Sequence, residues 1–142
     1  MSIKSSFNIL MLFVATFYLM SFLVHPVNKK NENTDWLAPV EADKTINPLK
    51  GDESAWGKAK ETYNTLCAIC HGENGLGDGI AGIALKPRPA NFKLDRVQKQ
   101  SDGAIFWKLT NGKPPMAAYQ ESLTEEQRWQ LVNYIRHLAE DN

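Results

Sequence analysis

Cysteine is scarce in this chain: two in 142 residues, at positions 67 and 70. No second pair exists to build a disulfide framework or to complete a four-ligand zinc site, and no further thiol is left for a lipid anchor. Net charge is absent as well. Sixteen Lys+Arg balance sixteen Asp+Glu, which removes the electrostatic basis for nucleic-acid binding. Strand-like alternation is missing before Cys67, where a thioredoxin-type dithiol would follow a strand and open a helix. The glycine-rich run at 72–79 lacks the Gly-Lys-Ser/Thr close of a phosphate-cradling loop. Methionine is the last scarcity. Three of the four lie at positions 1, 11 and 20, so everything after residue 50 contains a single thioether, Met116.

What is present is Cys67-Ala68-Ile69-Cys70-His71. Two cysteines three apart, followed at once by histidine, form the pattern for covalent attachment of one c-type haem. Each thiol adds across a haem vinyl group to give a thioether. One short turn of backbone presents both sulfurs to one porphyrin edge, and His71 follows as the proximal iron ligand.

Residues 7–24 (FNILMLFVATFYLMSFLV) form an 18-residue run without a charged side chain. As a helix it spans about 27 Å, close to the ~30 Å hydrocarbon core of a bilayer. The run exceeds the core of a cleaved signal peptide, and no small-x-small site follows it. Residues 1–27 are therefore expected to be an uncleaved signal anchor, one transmembrane helix, rather than a signal peptide. This places the remainder on the periplasmic, extracytoplasmic side, anchored to membrane lipid. Residues 28–50 are polar, contain Pro39 and Pro48, and read as a flexible linker that keeps the head near partners in the same membrane. Trp36 and Leu37 are candidates to pack onto the domain.

Residues 51–142 read as the haem domain, all-α. A first helix is expected over 52–66, with Trp56, Ala59, Tyr63 and Leu66 on one face. The glycines of GENGLGDG allow backbone to pass close to a flat cofactor or to take positive φ. Pro87 and Pro89 forbid a helix in LKPRPANF. A haem-ligating histidine needs its other ring nitrogen held by a carbonyl, and Pro89, ahead of Pro87, is expected to supply that carbonyl. A short helix is expected over 101–111, capped by Ser101 or Asp102 and ended by Gly112. Its apolar surface of Ile105, Phe106, Trp107 and Leu109 offers Trp107 as a cofactor contact. In the loop that follows, Met116 is the expected sixth iron ligand, a soft thioether that favours ferrous iron. The last helix is expected over 122–139, opened by a Thr124/Gln127 capping box and carrying Leu131, Val132, Ile135, Leu138 and Ala139 as an apolar stripe. His137 on this helix reads as a surface histidine. The basic run Lys86, Arg88, Lys93, Arg96 and Lys99 reads either as a solvated face or as a steering patch for an acidic partner.

These residues together resemble the class I cytochrome c family, over about residues 51–139, and are most similar to its small bacterial membrane-attached members. The family-like features are Ala59 and Tyr63 at eight and four residues before Cys67, the glycine-rich loop, the NGKPPM loop and the closing LTEEQRWQLVNYIRHLA. The resemblance implies a class I cytochrome c fold, with haem enclosed by first and last helices that cross near Ala59 and Tyr134. It also implies a one-electron carrier between redox protein partners of a respiratory chain, not an enzyme. The alternatives are a fixed haem c subunit of a larger oxidoreductase complex, or a haem enzyme or gas sensor with an open sixth site. Many relatives place proline directly after the ligand methionine, whereas this chain has Ala117 there and Pro114-Pro115 before it.

Overall fold

The computed structural model describes residues 36–54 and 56–140. Within them a 3-10 turn, Val40–Lys44, precedes five helices: α1 Trp56–Leu66, α2 Ala68–His71, α3 Asp95–Gln98, α4 Asp102–Asn111 and α5 Glu125–Glu140. No strand occurs among the described residues; a lone antiparallel bridge joins Lys113 and Met116. The expected transmembrane segment at 7–24 and the first residues of the linker lie outside the described residues. Among the described residues no helix is long and apolar enough to cross a membrane.

Helix boundaries follow local chemistry. α1 starts at Trp56 and not at 52, because the Asp52 carboxylate accepts from both the Ser54 amide and its hydroxyl, at 2.9 and 2.6 Å. That Asx turn competes with a helical start. α4 is capped by Ser101, whose Oγ accepts from the Ala104 amide at 3.0 Å. α5 begins at Glu125, behind a reciprocal capping box. The Thr124 amide donates to Gln127 Oε1 at 2.9 Å, and the Gln127 amide donates to Thr124 Oγ1 at 3.2 Å. A cap of this kind contributes about 1 kcal/mol.

α1 and α5 cross over the small side chain of Ala59, which is 1% exposed. Beside it Tyr63 is fully buried, its ring 5.3 Å from that of Tyr134. Leu131, Val132, Ile135 and Leu138 carry the apolar stripe of α5 into the same core. α4 leans on the other flank of α5, where Phe106 stacks on Trp129 with centroids 3.9 Å apart. His137 sits half-buried on α5, stacked on Trp56 at 4.0 Å. The α4–α5 joint is fastened by Arg136. Its guanidinium donates to the carbonyls of Gln98 and Gln100 and to Asp102 Oδ1, all within 3.0 Å.

The described part of the linker is not a free tether. Asn47 is buried and donates to Asp102 Oδ2 at 3.0 Å and to Asn133 Oδ1 at 2.8 Å. Asn133 in turn donates to the Leu49 carbonyl at 2.5 Å, and Ser101 Oγ donates to Asp43 Oδ1 at 2.5 Å. Gly103 lets the Ala42 and Thr45 carbonyls approach α4, where a Cβ would collide with both. Residues 36–50 are thus strapped across α4 and α5. Of the two linker residues expected to pack, Trp36 does and Leu37 does not; Leu37 is 79% exposed.

Candidate functional site

Cys67 is the residue at which α1 gives way to α2. Its amide donates to the Tyr63 carbonyl at 2.8 Å, and its own carbonyl receives the amides of Cys70 and His71 at 3.1 and 2.8 Å. One helical turn therefore holds both sulfurs and the imidazole in fixed mutual register. The turn behind it is pinned from the core, since the Tyr63 hydroxyl donates to the Gly72 carbonyl at 2.6 Å. Outside it the loop at 79–83 passes at peptide-to-peptide distance. A Cβ on Gly79 would lie 2.5 Å from the Ala68 and Ile69 carbonyl oxygens, and one on Gly82 would run into the Cys70 carbonyl. Gly72, Gly75 and Gly77 take positive φ in the same loop. The glycine-rich run thus serves both purposes expected of it, close approach and left-handed turns.

Both thiols are free of disulfide. Cys67 is buried, and burial, reinforced by neighbouring Cys70, pushes its thiol up to about 12. A redox dithiol has the opposite electrostatics, a thiolate favoured by a helix N-terminus or a nearby cation. This pair is built to sit in an apolar wall.

The His71 ring is clamped on two sides. It stacks on Phe92 with centroids 4.5 Å apart, and its Nδ1–H donates to a backbone carbonyl at 3.2 Å, leaving Nε2 as the lone-pair nitrogen. That carbonyl belongs to Ala90, not to Pro89 as expected. Successive carbonyls in this extended stretch point to different sides. The Pro89 oxygen is turned onto Gly77, where a Cβ would lie 2.5 Å from it, and the next one faces the imidazole. Pro89 still lines the cavity. Burial lowers the imidazole pKa and the Ala90 bond opposes it in part, so the ring is held neutral.

The imidazole and both sulfurs face a cavity of about 340 Å³, within the ordinary range for a bound cofactor. Its floor is apolar, with Phe92, Val97, Ile105, Leu109, Leu131 and Ile135. Met116 faces the same space from the loop after α4. The bridge that presents it is closed both ways, Lys113 amide to Met116 carbonyl at 3.1 Å and Met116 amide to Lys113 carbonyl at 2.8 Å, around Pro114-Pro115. Met116 needs no following proline to be placed, because the two preceding ones stiffen the turn. Trp107 is not at the cavity. It faces away, beside Pro39 and Ala42, because Ile105 and Leu109 occupy the inward face of α4. The tryptophan that does line the cavity is Trp36. The sequence marks Trp36 only as a candidate to pack onto the domain, and nothing in its polar stretch, which has no period, points to the cavity.

The cavity wall contains four cations, Arg88, Arg96, Lys108 and Lys113, and no carboxylate. An apolar slot with two thiols, a neutral imidazole, a thioether and a cationic edge suits a flat, hydrophobic, iron-bearing group that carries acid substituents. The residues fit haem. No group of three or more His, Cys, Asp or Glu that could hold a bare metal ion occurs among the described residues.

Residues 54–135 match the family described as cytochrome C oxidase, cbb3-type, subunit III. No curated protein matches the chain.

Proposed function

The chain belongs to the cytochrome c oxidase, cbb3-type, subunit III family, as a monohaem class I cytochrome c domain with covalently bound haem c. From that premise we propose that it is a membrane-tethered electron carrier, passing single electrons between respiratory partners on the periplasmic side of a membrane. A cytochrome c domain is a haem-based electron carrier with redox protein partners. The tether, the side of the membrane and the kind of partner are the reading offered here, supported by the apolar run at 7–24 and by the chemistry of the attachment turn.

The observation that carries the electron-transfer reading is that His71 and Met116 line one largely apolar slot from separately stiffened turns. Cys67 and Cys70 hold the group by two thioethers. His71 Nε2 and Met116 Sδ would be the two iron ligands. When bound, haem supplies a one-electron ferric/ferrous couple whose potential is set by axial ligands and burial. The residues contribute rigidity. The Ala90 carbonyl and Phe92 keep the imidazole from rotating, and the Lys113–Met116 bridge keeps the thioether in place. The same ligand set therefore serves both oxidation states. A haem enzyme or gas sensor needs an open position and a polar distal group, whereas Met116 offers a thioether to this cavity.

Oxidised and reduced optical spectra of the purified chain test this directly. A low-spin haem with the long-wavelength band of sulfur-ligated ferric iron is expected. A high-spin spectrum that takes up CO readily would sink it. The fixed-subunit alternative has its own support in the family match and in an apolar surface around the attachment turn, where Ile80 is 84% and Ile83 52% exposed. Co-purification after gentle solubilisation separates a subunit from a free carrier.

A further inference from the structure

Residues 36–50 precede the family match, which begins at residue 54, yet they reach the haem cavity. Trp36 lines it. The Lys108 ammonium lies 5.5 Å from the centre of the Trp36 ring and donates to Gln100 Oε1 at 2.5 Å. Lys108 is half-buried, lines the same cavity, and has no carboxylate partner among the described residues. A half-buried cation satisfied only by an amide oxygen and a π face is incompletely paired. Burial accordingly lowers its pKa, with no opposing anion to restore it. The rest of the segment is held on the same domain. Asn47 bonded to Asp102 and Asn133, and Asp43 bonded to Ser101, fix residues 43–47 on α4 and α5.

We propose that residues 36–50 form a haem strap, in which Trp36 closes one edge of the cavity and holds the Lys108 ammonium as counter-charge to a carboxylate of the bound haem. The cavity has cations and no acid of its own, so the acid must come from its occupant. A positive charge at that edge stabilises ferrous over ferric iron and raises the potential. Trp36 strengthens the effect by excluding water, which would otherwise screen the charge. Lys108 and Trp36 are positioning residues and touch neither the iron nor its ligands. The inference rests on haem occupying the slot, and the experiment separates the two failures.

The test uses the full chain with haem attached, as Lys108→Gln, Lys108→Arg, Trp36→Ala and Trp36→Phe, each checked for covalent haem after denaturation. The midpoint potential is read by redox titration. Lys108→Gln is expected to shift it downward and Lys108→Arg to keep it near the parent value. Trp36→Ala shifts it in the same direction by less, and Trp36→Phe recovers most of that shift. Limited trypsinolysis gives a second reading, in which Trp36→Ala raises cleavage after Lys44 and Lys50 severalfold. Should Lys108→Gln fail to load haem, the two Trp36 variants decide the matter. Haem-loaded Lys108→Gln and Trp36→Ala proteins with the parent potential and the parent cleavage pattern overturn the strap. A parent chain without covalent haem overturns the reading of the slot instead.

Discussion

The attachment turn at 67–71 and the methionine turn at 113–117 face the same cavity, but they are held there by different means. The first is continuous with a core helix. Its amides and carbonyls are spent in helical bonds, Tyr63 braces it from the buried side, and Phe92 and Ala90 fix the one side chain that must not rotate. The second is a surface turn, with Lys113, Pro114, Pro115 and Ala117 all exposed, held by one two-way bridge and two proline rings. The difference assigns tasks. In the function proposed above, the helical turn would determine whether a cofactor is held at all, while the loop would determine what that cofactor's sixth position is. A change in the first is therefore expected to be all-or-none, and a change in the second graded.

The sharpest way to break this contrast is to remove the thiols. Cys67→Ala with Cys70→Ala should abolish covalent haem, seen as loss of haem stain on a denaturing gel; haem that survives denaturation in this variant contradicts the attachment. Met116→Ala comes next. It should keep its covalent haem but become high-spin, bind CO and fall in potential, all visible in the optical spectrum. Loss of the haem itself would mean the loop does more than tune.

Effects on the frame are smaller and are read by denaturant titration. Asp102 joins the strap to α4 and α5. Burial alone would raise its carboxyl, but hydrogen bonds from Asn47 and Arg136, with the charges of Arg136 and Lys50, outweigh burial and hold it below its ordinary value. A depressed folded-state value stabilises the protein above the unfolded carboxyl value and loses that contribution as pH falls through the folded one. Asp102→Asn should therefore cost about 1–3 kcal/mol at pH 7. The gap from the parent should narrow below about pH 4. A gap that stays constant from pH 7 to pH 3 would show that charge is not the reason. Tyr63→Phe strands the Gly72 carbonyl behind the attachment turn and should cost about 1–2 kcal/mol, lowering the urea midpoint at unchanged slope. Thr124→Ala removes half of the α5 capping box and should cost about 1 kcal/mol, with the haem spectrum untouched.

Much of this architecture is legible in the sequence because it is written in local rules. The 3.6-residue stripe on α5, its capping box and the Ala59/Tyr63 face of α1 need no distant information. The CxxCH spacing names a cofactor, and elimination leaves one thioether. What escapes are features decided by direction or by long-range contact. Whether Pro89 or Ala90 presents its carbonyl to His71 depends on the rotation of one peptide, to which proline spacing is blind. Trp107 and Trp36 exchange roles because a helical stretch apolar on several sides does not say which side faces inward. Nor does a polar segment reveal that Asn47 finds partners at positions 102 and 133. Asp52 shows the limit of capping rules, since a carboxylate three residues early satisfies Ser54 instead of a helix.

Gly79 and Gly82 leave the outer cover of the attachment turn only one loop deep, peptide laid on peptide with no side chain between them. Electron tunnelling weakens exponentially with the depth of material crossed, so in the electron carrier proposed above this thin place would serve as a window. Two hydrogen atoms, standing where most residues carry a side chain, set its depth. Ile80 and Ile83 frame it with a dry apolar sill against which another protein could seat without trapping water.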